Sequence, residues 1–171
     1  MVNIYLSGFQ GVGKTTYGKK AAAVMKWPFF DSDEMILQKY PAASVRALCT
    51  VIGEGQFRLI EEEVIAEISN PKKAIIDNAL ISLGGGSFEK ESNRCLLASS
   101  GTIIYLYKPL EHLFEELKKR PLPIYLASYE DFIPLFRRRH AHFSALAAEI
   151  ISLEEVTEEH ILNRIASYAQ Q

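Results

Sequence analysis

The sequence predicts an α/β fold, an open five-stranded parallel sheet with helices on both faces. Three observations carry that expectation. Short apolar runs alternate with amphipathic stretches along the chain, the pattern of repeated β–α units. The apolar runs are nearly continuous, as strands covered on both faces must be. The first of them runs through a glycine-rich turn, Gly8-Phe9-Gln10-Gly11-Val12-Gly13-Lys14-Thr15, directly into a helix-forming stretch.

Strands are expected at Val2–Ser7, Pro28–Asp31, Ala79–Leu83, Thr102–Tyr107 and Ala148–Ser152. Helices are expected at Lys14–Met25, Asp33–Lys39, Ser44–Val51, Gly53–Ile68, Lys90–Ala98, Leu110–Lys118, Pro134–Leu146 and Glu158–Ala169. In the fourth helix Phe57, Ile60, Val64, Ile65 and Ile68 mark one apolar face. The last helix has Thr157 as a candidate N-cap, with Glu158 and Glu159 in its first turn to complement the helix dipole. Its apolar face comprises Ile161, Leu162, Ile165 and Tyr168. Pro134 should start or kink the helix that carries it. The stretch Lys119–Tyr129, with Pro121 and Pro123, has no strand character and reads as a mobile lid between two helices.

With 171 residues, 48% of them hydrophobic, the chain is long enough for one domain spanning 1–171 with its own core. A net charge of −2 with interspersed signs gives no footprint for nucleic acid or an anionic membrane. The two cysteines, Cys49 and Cys95, lie far apart and form no metal-type pair, which fits free thiols in a reducing, cytoplasmic setting. No run of eighteen apolar residues is present, and the N-terminus enters a strand without a basic leader and apolar signal core, so neither a membrane span nor export is expected. The run Arg137-Arg138-Arg139 lacks interleaved aromatics and is not read as a nucleic-acid patch. His140 and His142, two apart on a helix, make a poor metal pair.

The glycine turn fits the phosphate-loop pattern G-x-x-x-x-G-K-[ST]. Glycines let successive backbone amides of Gly11, Val12 and Gly13 point inward at a phosphate, and the helix N-terminus adds favourable partial charge. Lys14 can reach β/γ-phosphates, and Thr15 can ligate Mg²⁺. At the second strand end, Asp31-Ser32-Asp33 places two carboxylates two residues apart. One can hold a Mg²⁺ shell through water, and the other can accept a hydrogen bond from an attacking hydroxyl. A helix N-cap followed by dipole-complementing acids explains the same residues equally well. Glu61, one turn after Arg58, can orient its guanidinium to clamp a carboxylate, or the two can form a surface pair of little consequence. Gly84-Gly85-Gly86 at the next strand end allow close backbone approach to a ligand, with amides free to donate. Ala74-Ile75-Ile76-Asp77 looks like a strand ending in a metal-binding Asp. Its position before the glycine-bearing strand favours a surface turn at Asp77-Asn78 instead.

Together these pieces resemble shikimate kinase over almost the whole chain. The resemblance rests on the P-loop, Asp31-Ser32-Asp33, Gly53-Glu54 with Phe57-Arg58 and Glu61, and Ser82-Leu83-Gly84-Gly85-Gly86. It continues through Arg120-Pro121-Leu122, similar to the family's lid arginine, and Arg139 with Phe143 and Ala147, similar to its R-x-x-x-Y-x-x-x-A segment. The resemblance implies a P-loop NTPase fold of the nucleoside monophosphate kinase type, and transfer of the ATP γ-phosphoryl group to the 3-hydroxyl of shikimate. It implies ATP and shikimate as partners, Mg²⁺ as cofactor and a monomer.

It further implies that Gly11, Val12, Gly13, Lys14, Thr15 and Thr16 hold the nucleotide, and that Thr15 and, through water, Asp31 hold the metal. The acceptor region spans about residues 33–61. Asp33 is implied as base or orienter, Phe57, Arg58, Gly84, Gly85, Gly86 and Arg139 as shikimate contacts, and Arg120 as the lid residue meeting the transferred phosphoryl group. The chain departs from the family pattern in a short lid and in Lys118 and Lys119 where an adenine-side arginine is common. Cys49 stands where an aromatic pocket wall is expected, and Phe143 replaces a Tyr. A nucleotide acceptor would need a base pocket rather than the Phe57-Arg58 pair and three glycines. A silent nucleotide-binding module would need neither Asp33 nor Arg120.

Overall fold

The computed structural model describes residues 3–70, 78–119, 128, 130–154 and 156–170. The strands are β1 (Asn3–Ser7), β2 (Phe29–Asp31), β3 (Leu80–Ser82), β4 (Gly101–Tyr107) and β5 (Glu149–Ser152). The helices are α1 (Lys14–Met25), α2 (Ser32–Lys39), α3 (Val45–Ile52), α4 (Glu54–Ile68), α5 (Glu91–Ser100), α6 (Leu110–Lys118), α7 (Phe132–Leu146) and α8 (Glu158–Ser167), and a 3₁₀ turn follows at Tyr168–Gln170. Every expected strand and helix is present, with ends within two residues of the expected ones, the usual fraying of element boundaries.

The sheet order is β2-β3-β1-β4-β5 and every pair is parallel. The second strand is therefore not the neighbour of the first, because β3 lies between them. The register aligns Asp31 with Ser82 and Ser82 with Leu6, so the chain segments leaving β1, β2 and β3 emerge at one carboxyl edge. Ligands of open α/β sheets bind at that edge. All five residues of β1 are buried, as are all three of β3, which is why these strands read as unbroken apolar runs.

Local chemistry explains several boundaries. Asp31 caps α2 by accepting a bond from the amide of Asp33 at 3.0 Å. Ser44 caps α3 through the amide of Ala47, and Thr157 caps α8 through that of His160, as expected. Pro134 sits in the first turn of α7, where its missing N–H would have had no partner, so the helix begins two residues earlier than expected. Asn78 takes φ 53, the left-handed conformation of a turn, consistent with a turn at this point. The strand-like run Ala74–Asp77 lies outside the described residues.

The main core fills both faces of the sheet, and a smaller cluster of Ile36, Leu48, Cys49, Phe57 and Val64 fixes α2, α3 and α4 against one another. An aromatic group joins the P-loop to α7. Phe9 stacks on Phe136 with ring centroids 4.8 Å apart and meets Phe132 and Phe143 edge-on. Phe143 is fully buried there and packs on Tyr105 and Phe88. Among the described residues no helix is long and apolar enough to cross a membrane.

Candidate active site

The loop between β1 and α1 has the conformation a phosphate cradle requires. Gly8 has φ 143, and a Cβ there would stand 2.6 Å from the carbonyl oxygen of Leu106 on β4. Gly13 has φ 96 and caps α1 in the left-handed region, a conformation that side chains disfavour. Val12 serves the loop through its backbone, since its side chain belongs to the core. Lys14 is buried and its Nζ donates to the carbonyls of Gly8 and Phe9 at 2.8 and 2.9 Å, curling the loop around the ammonium. Burial pulls the Lys14 pKa from 10.5 down to about 8, against the opposing pull of Asp33 and Asp31.

Asp31 is the N-cap of α2, and it also faces the P-loop. One oxygen caps α2, and the other accepts a 2.7 Å hydrogen bond from Thr15 Oγ1. Two oxygens, one on each side of the P-loop–β2 gap, thus converge, the hard-donor set that Mg²⁺ takes when phosphates and waters complete its shell. Among the described residues no group of three or more His, Cys, Asp or Glu side chains could hold a metal by itself.

Asp33 lies one residue into α2, facing the same space. Burial and the neighbouring Asp31 raise its pKa from 3.8 to about 6. Beside it, Ser32 is buried and its Oγ accepts the amide of Gly84 at 2.8 Å. This corrects one expectation: the Gly84 amide is not free for a ligand, because Ser32 uses it to tie the glycine turn to the α2 start. Two of the three glycines are needed for a different reason. A Cβ on Gly84 would come within 2.7 Å of Asp33 Oδ1, and one on Gly86 would collide with the guanidinium of Arg58.

Arg58 is no surface pair. Its Nη1 donates to the buried Glu61 at 2.8 Å and its Nη2 to Glu54 at 3.2 Å. Glu61 is itself held by Ser87 Oγ at 3.3 Å. Burial disfavours the Arg58 cation, but the Glu61 and Glu54 carboxylates together outweigh it and hold the pKa above the ordinary arginine value. Arg139 on α7 is buried, donates from Nε to Glu89 at 2.7 Å, and presents Nη1 toward Gly85.

One cavity of about 450 Å³ is lined on one side by Gly11, Gly13, Lys14, Thr15 and Thr16, and on the other by Asp31, Asp33, Phe57, Arg58, Gly84, Gly85, Gly86 and Arg139. Every expected site residue within the described segments lines it except Val12. Arg120 and most of the expected lid, residues 120–127 and 129, lie outside the described residues. Cys49 lines the cavity wall and is buried in the small cluster beneath it.

Sequence reading missed Gln10, Val45 and Arg46 on the cavity wall, the tie from Ser32, and Glu89. Ser32 could have been suspected from its place between two site carboxylates. Glu89 carries no local signal, because its partners are some fifty residues away.

A phosphate loop facing a second pocket of paired arginines and a carboxylate, at the carboxyl edge of a parallel sheet, defines a P-loop small-molecule kinase. The comparisons with known proteins are more particular. The family model described as "Shikimate kinase" matches residues 10–170. The chain belongs to the shikimate kinase family.

It is 32% identical over 173 residues to a shikimate kinase of Francisella tularensis subsp. novicida, spanning 97% of this chain and 93% of the relative. It is 33% identical over 170 residues to one of Legionella pneumophila, with the same 97% and 93% coverage. The solved shikimate kinase of Acinetobacter baumannii in complex with shikimate superposes with a TM-score of 0.82 at 28% identity, covering 96% of this chain and 90% of that one.

Proposed function

We propose that this chain transfers the γ-phosphoryl group of ATP to the 3-hydroxyl of shikimate, giving shikimate 3-phosphate and ADP, a step of aromatic amino-acid biosynthesis. The observation that carries the reading is the single cleft in which a phosphate loop confronts Asp33, Arg58 and Arg139. Family membership supplies the acceptor's identity.

On the donor side, the loop amides and Lys14 hold the β/γ-phosphates, with Thr16 at the rim. Thr15 and Asp31 are the residues that would hold Mg²⁺, Asp31 through water. Bound there, Mg²⁺ offsets the negative charge of the phosphates. On the acceptor side, Arg58 and Arg139 clamp the shikimate carboxylate. Gly85 and Gly86 offer backbone groups to a substrate hydroxyl, and Gly84 leaves room for Asp33. Phe57 closes one wall. Asp33, ionised at neutral pH with a pKa of about 6, orients the 3-hydroxyl and accepts its proton as the oxygen attacks the γ-phosphorus. The leaving oxygen departs on ADP. Arg120 is the proposed lid residue that meets charge on the transferred phosphoryl group, and closure of the lid would exclude water and limit ATP hydrolysis.

A single chain carries both halves of the cleft, which supports action as a monomer. The buried free thiol of Cys49 suits a reducing cytoplasm. The test is ATP-dependent phosphorylation measured across shikimate, gluconate and several nucleoside monophosphates. Turnover of shikimate well above the others is expected, and no preference for shikimate would overturn the reading.

A further inference from the structure

Three residues past the glycine turn, Glu89 makes contacts that the reaction chemistry does not use. Its amide donates to the carbonyl of Gly86 at 2.9 Å, so its backbone is part of that turn. Its carboxylate then reaches across to α7. Oε1 accepts Nε of Arg139 at 2.7 Å, while Oε2 accepts Nε of Arg138 at 3.1 Å. The two pairs differ in kind. The Arg138 side chain is 56% exposed, the setting in which an ion pair contributes little, whereas the Arg139 side chain is only 4% exposed.

A buried guanidinium on a flexible three-carbon stem needs something to set its plane. With Nε held by Glu89, the Nη1 end lies against Gly85, at 3.6 Å from where a Cβ would stand, on the wall of the cleft. One short segment, Gly85 to Glu89, thus touches Arg139 at both ends. The Glu89 carboxylate stays ionised to do this: partial burial opposes its charge, but the bonds from Arg138 and Arg139 hold its pKa below the ordinary glutamate value. It also offsets cationic charge in a cleft that already holds Arg58 and Lys14, and the charge of Arg139 is felt at Lys14.

We infer that Glu89 is a positioning residue for the acceptor site: it sets the orientation of Arg139, and through it the grip on the substrate carboxylate, and couples that grip to the glycine turn. The inference rests on the reading of shikimate as acceptor. A structural ion pair alone would affect folding and both substrates alike. A positioning residue affects one substrate, and only while Arg139 is present.

The experiment is steady-state kinetics of the full chain with ATP and shikimate for the wild type, Glu89→Ala, Glu89→Gln, Arg139→Ala and the Glu89→Ala/Arg139→Ala double variant. Glu89→Ala should raise KM for shikimate about tenfold with KM for ATP within about twofold of wild type. Glu89→Gln, which keeps an acceptor for Nε–H, should recover much of that loss. If Glu89→Ala does not fold, the test is the residual rise in Glu89→Gln, about two- to threefold in KM for shikimate alone, and an unchanged value there overturns the inference. In the Arg139→Ala background, removing Glu89 should add less than about twofold, the non-additivity of residues acting as a unit. An unchanged or lowered KM for shikimate in both Glu89 variants would overturn the inference. So would a parallel rise in both KM values, or a full tenfold addition in the double variant. Absence of shikimate phosphorylation by the wild type would instead overturn the functional reading beneath it.

Discussion

Gly86 lies flush against Arg58: a Cβ built on Gly86 would collide with Nη1 and stand 2.8 Å from Cζ of that guanidinium. The third glycine of the turn is therefore the floor on which the arginine rests, against the same Nη1 that Glu61 holds. The pairing crosses from the β3–α5 connection to α4 and makes the shape of one dependent on the smallness of the other.

Gly86→Ala should consequently displace Arg58 rather than unfold the chain, because the obstructed group is the far end of a long side chain. KM for shikimate should rise about tenfold, with KM for ATP within about twofold and a Tm near that of the wild type. Steady-state kinetics and a thermal scan check this. An unaltered KM for shikimate would remove Arg58 from the acceptor clamp.

Asp33→Asn should lose at least about a hundredfold in kcat while ATP binding, measured by titration, stays largely intact, since Asp33 faces the acceptor. In the wild type, kcat/KM for shikimate should fall as pH drops through about 6, where Asp33 takes up a proton and can no longer accept one. It should also fall as pH rises through about 8, where Lys14 loses its charge. The bell should lose its acid limb in the residual activity of Asp33→Asn.

The same carboxylate costs stability. Its pKa is about 6 in the folded chain, raised by burial and Asp31 above the ordinary 3.8 expected on unfolding. Between those values the folded state binds more protons than the unfolded state, so this contribution falls as pH rises through the window and stays unfavourable above it. Asp33→Asn should therefore raise Tm by a few degrees at pH 8, with the gain shrinking below pH 6 and vanishing near pH 4. Thermal unfolding at the three pH values measures it, and a Tm gain independent of pH would contradict the assignment.

Asp31 has two duties that one substitution separates. Asn remains a good N-cap, so Asp31→Asn should keep α2 and the global Tm close to wild type. Without the second carboxylate oxygen beside Thr15, the Mg²⁺ concentration for half-maximal activity should rise about tenfold. Activity titrated against Mg²⁺ at fixed ATP is the measurement, and an unshifted midpoint would take Asp31 out of the metal shell.

Much of this protein was legible in its sequence because the deciding interactions are local. Phosphate-loop geometry depends on backbone torsions at Gly8 and Gly13, which the residues themselves dictate. Asp31 as a cap and Thr157 as a cap are two- and three-residue relationships. Arg58 and Glu61 meet because they are one helical turn apart. Periodicity fixes which faces of α4 and α8 are apolar, and the core buries those faces.

The tertiary structure alone decided the rest. Placing β3 between β1 and β2 brings the glycine turn, Asp33 and the P-loop to one edge, and strand order is not written in any local pattern. The Gly84 amide goes to Ser32, fifty-two residues away, and Arg139 is set by Glu89 across a gap of fifty. Burial is what raises Asp33 and lowers Lys14, and it is a property of the assembled cleft rather than of either residue. Sequence determined the elements, their caps and the chemical groups available, because torsional preference and helical spacing act over a few residues. Only the folded chain decided which of those groups share a low-dielectric space, because desolvation and long-range hydrogen bonds exist only once distant segments meet.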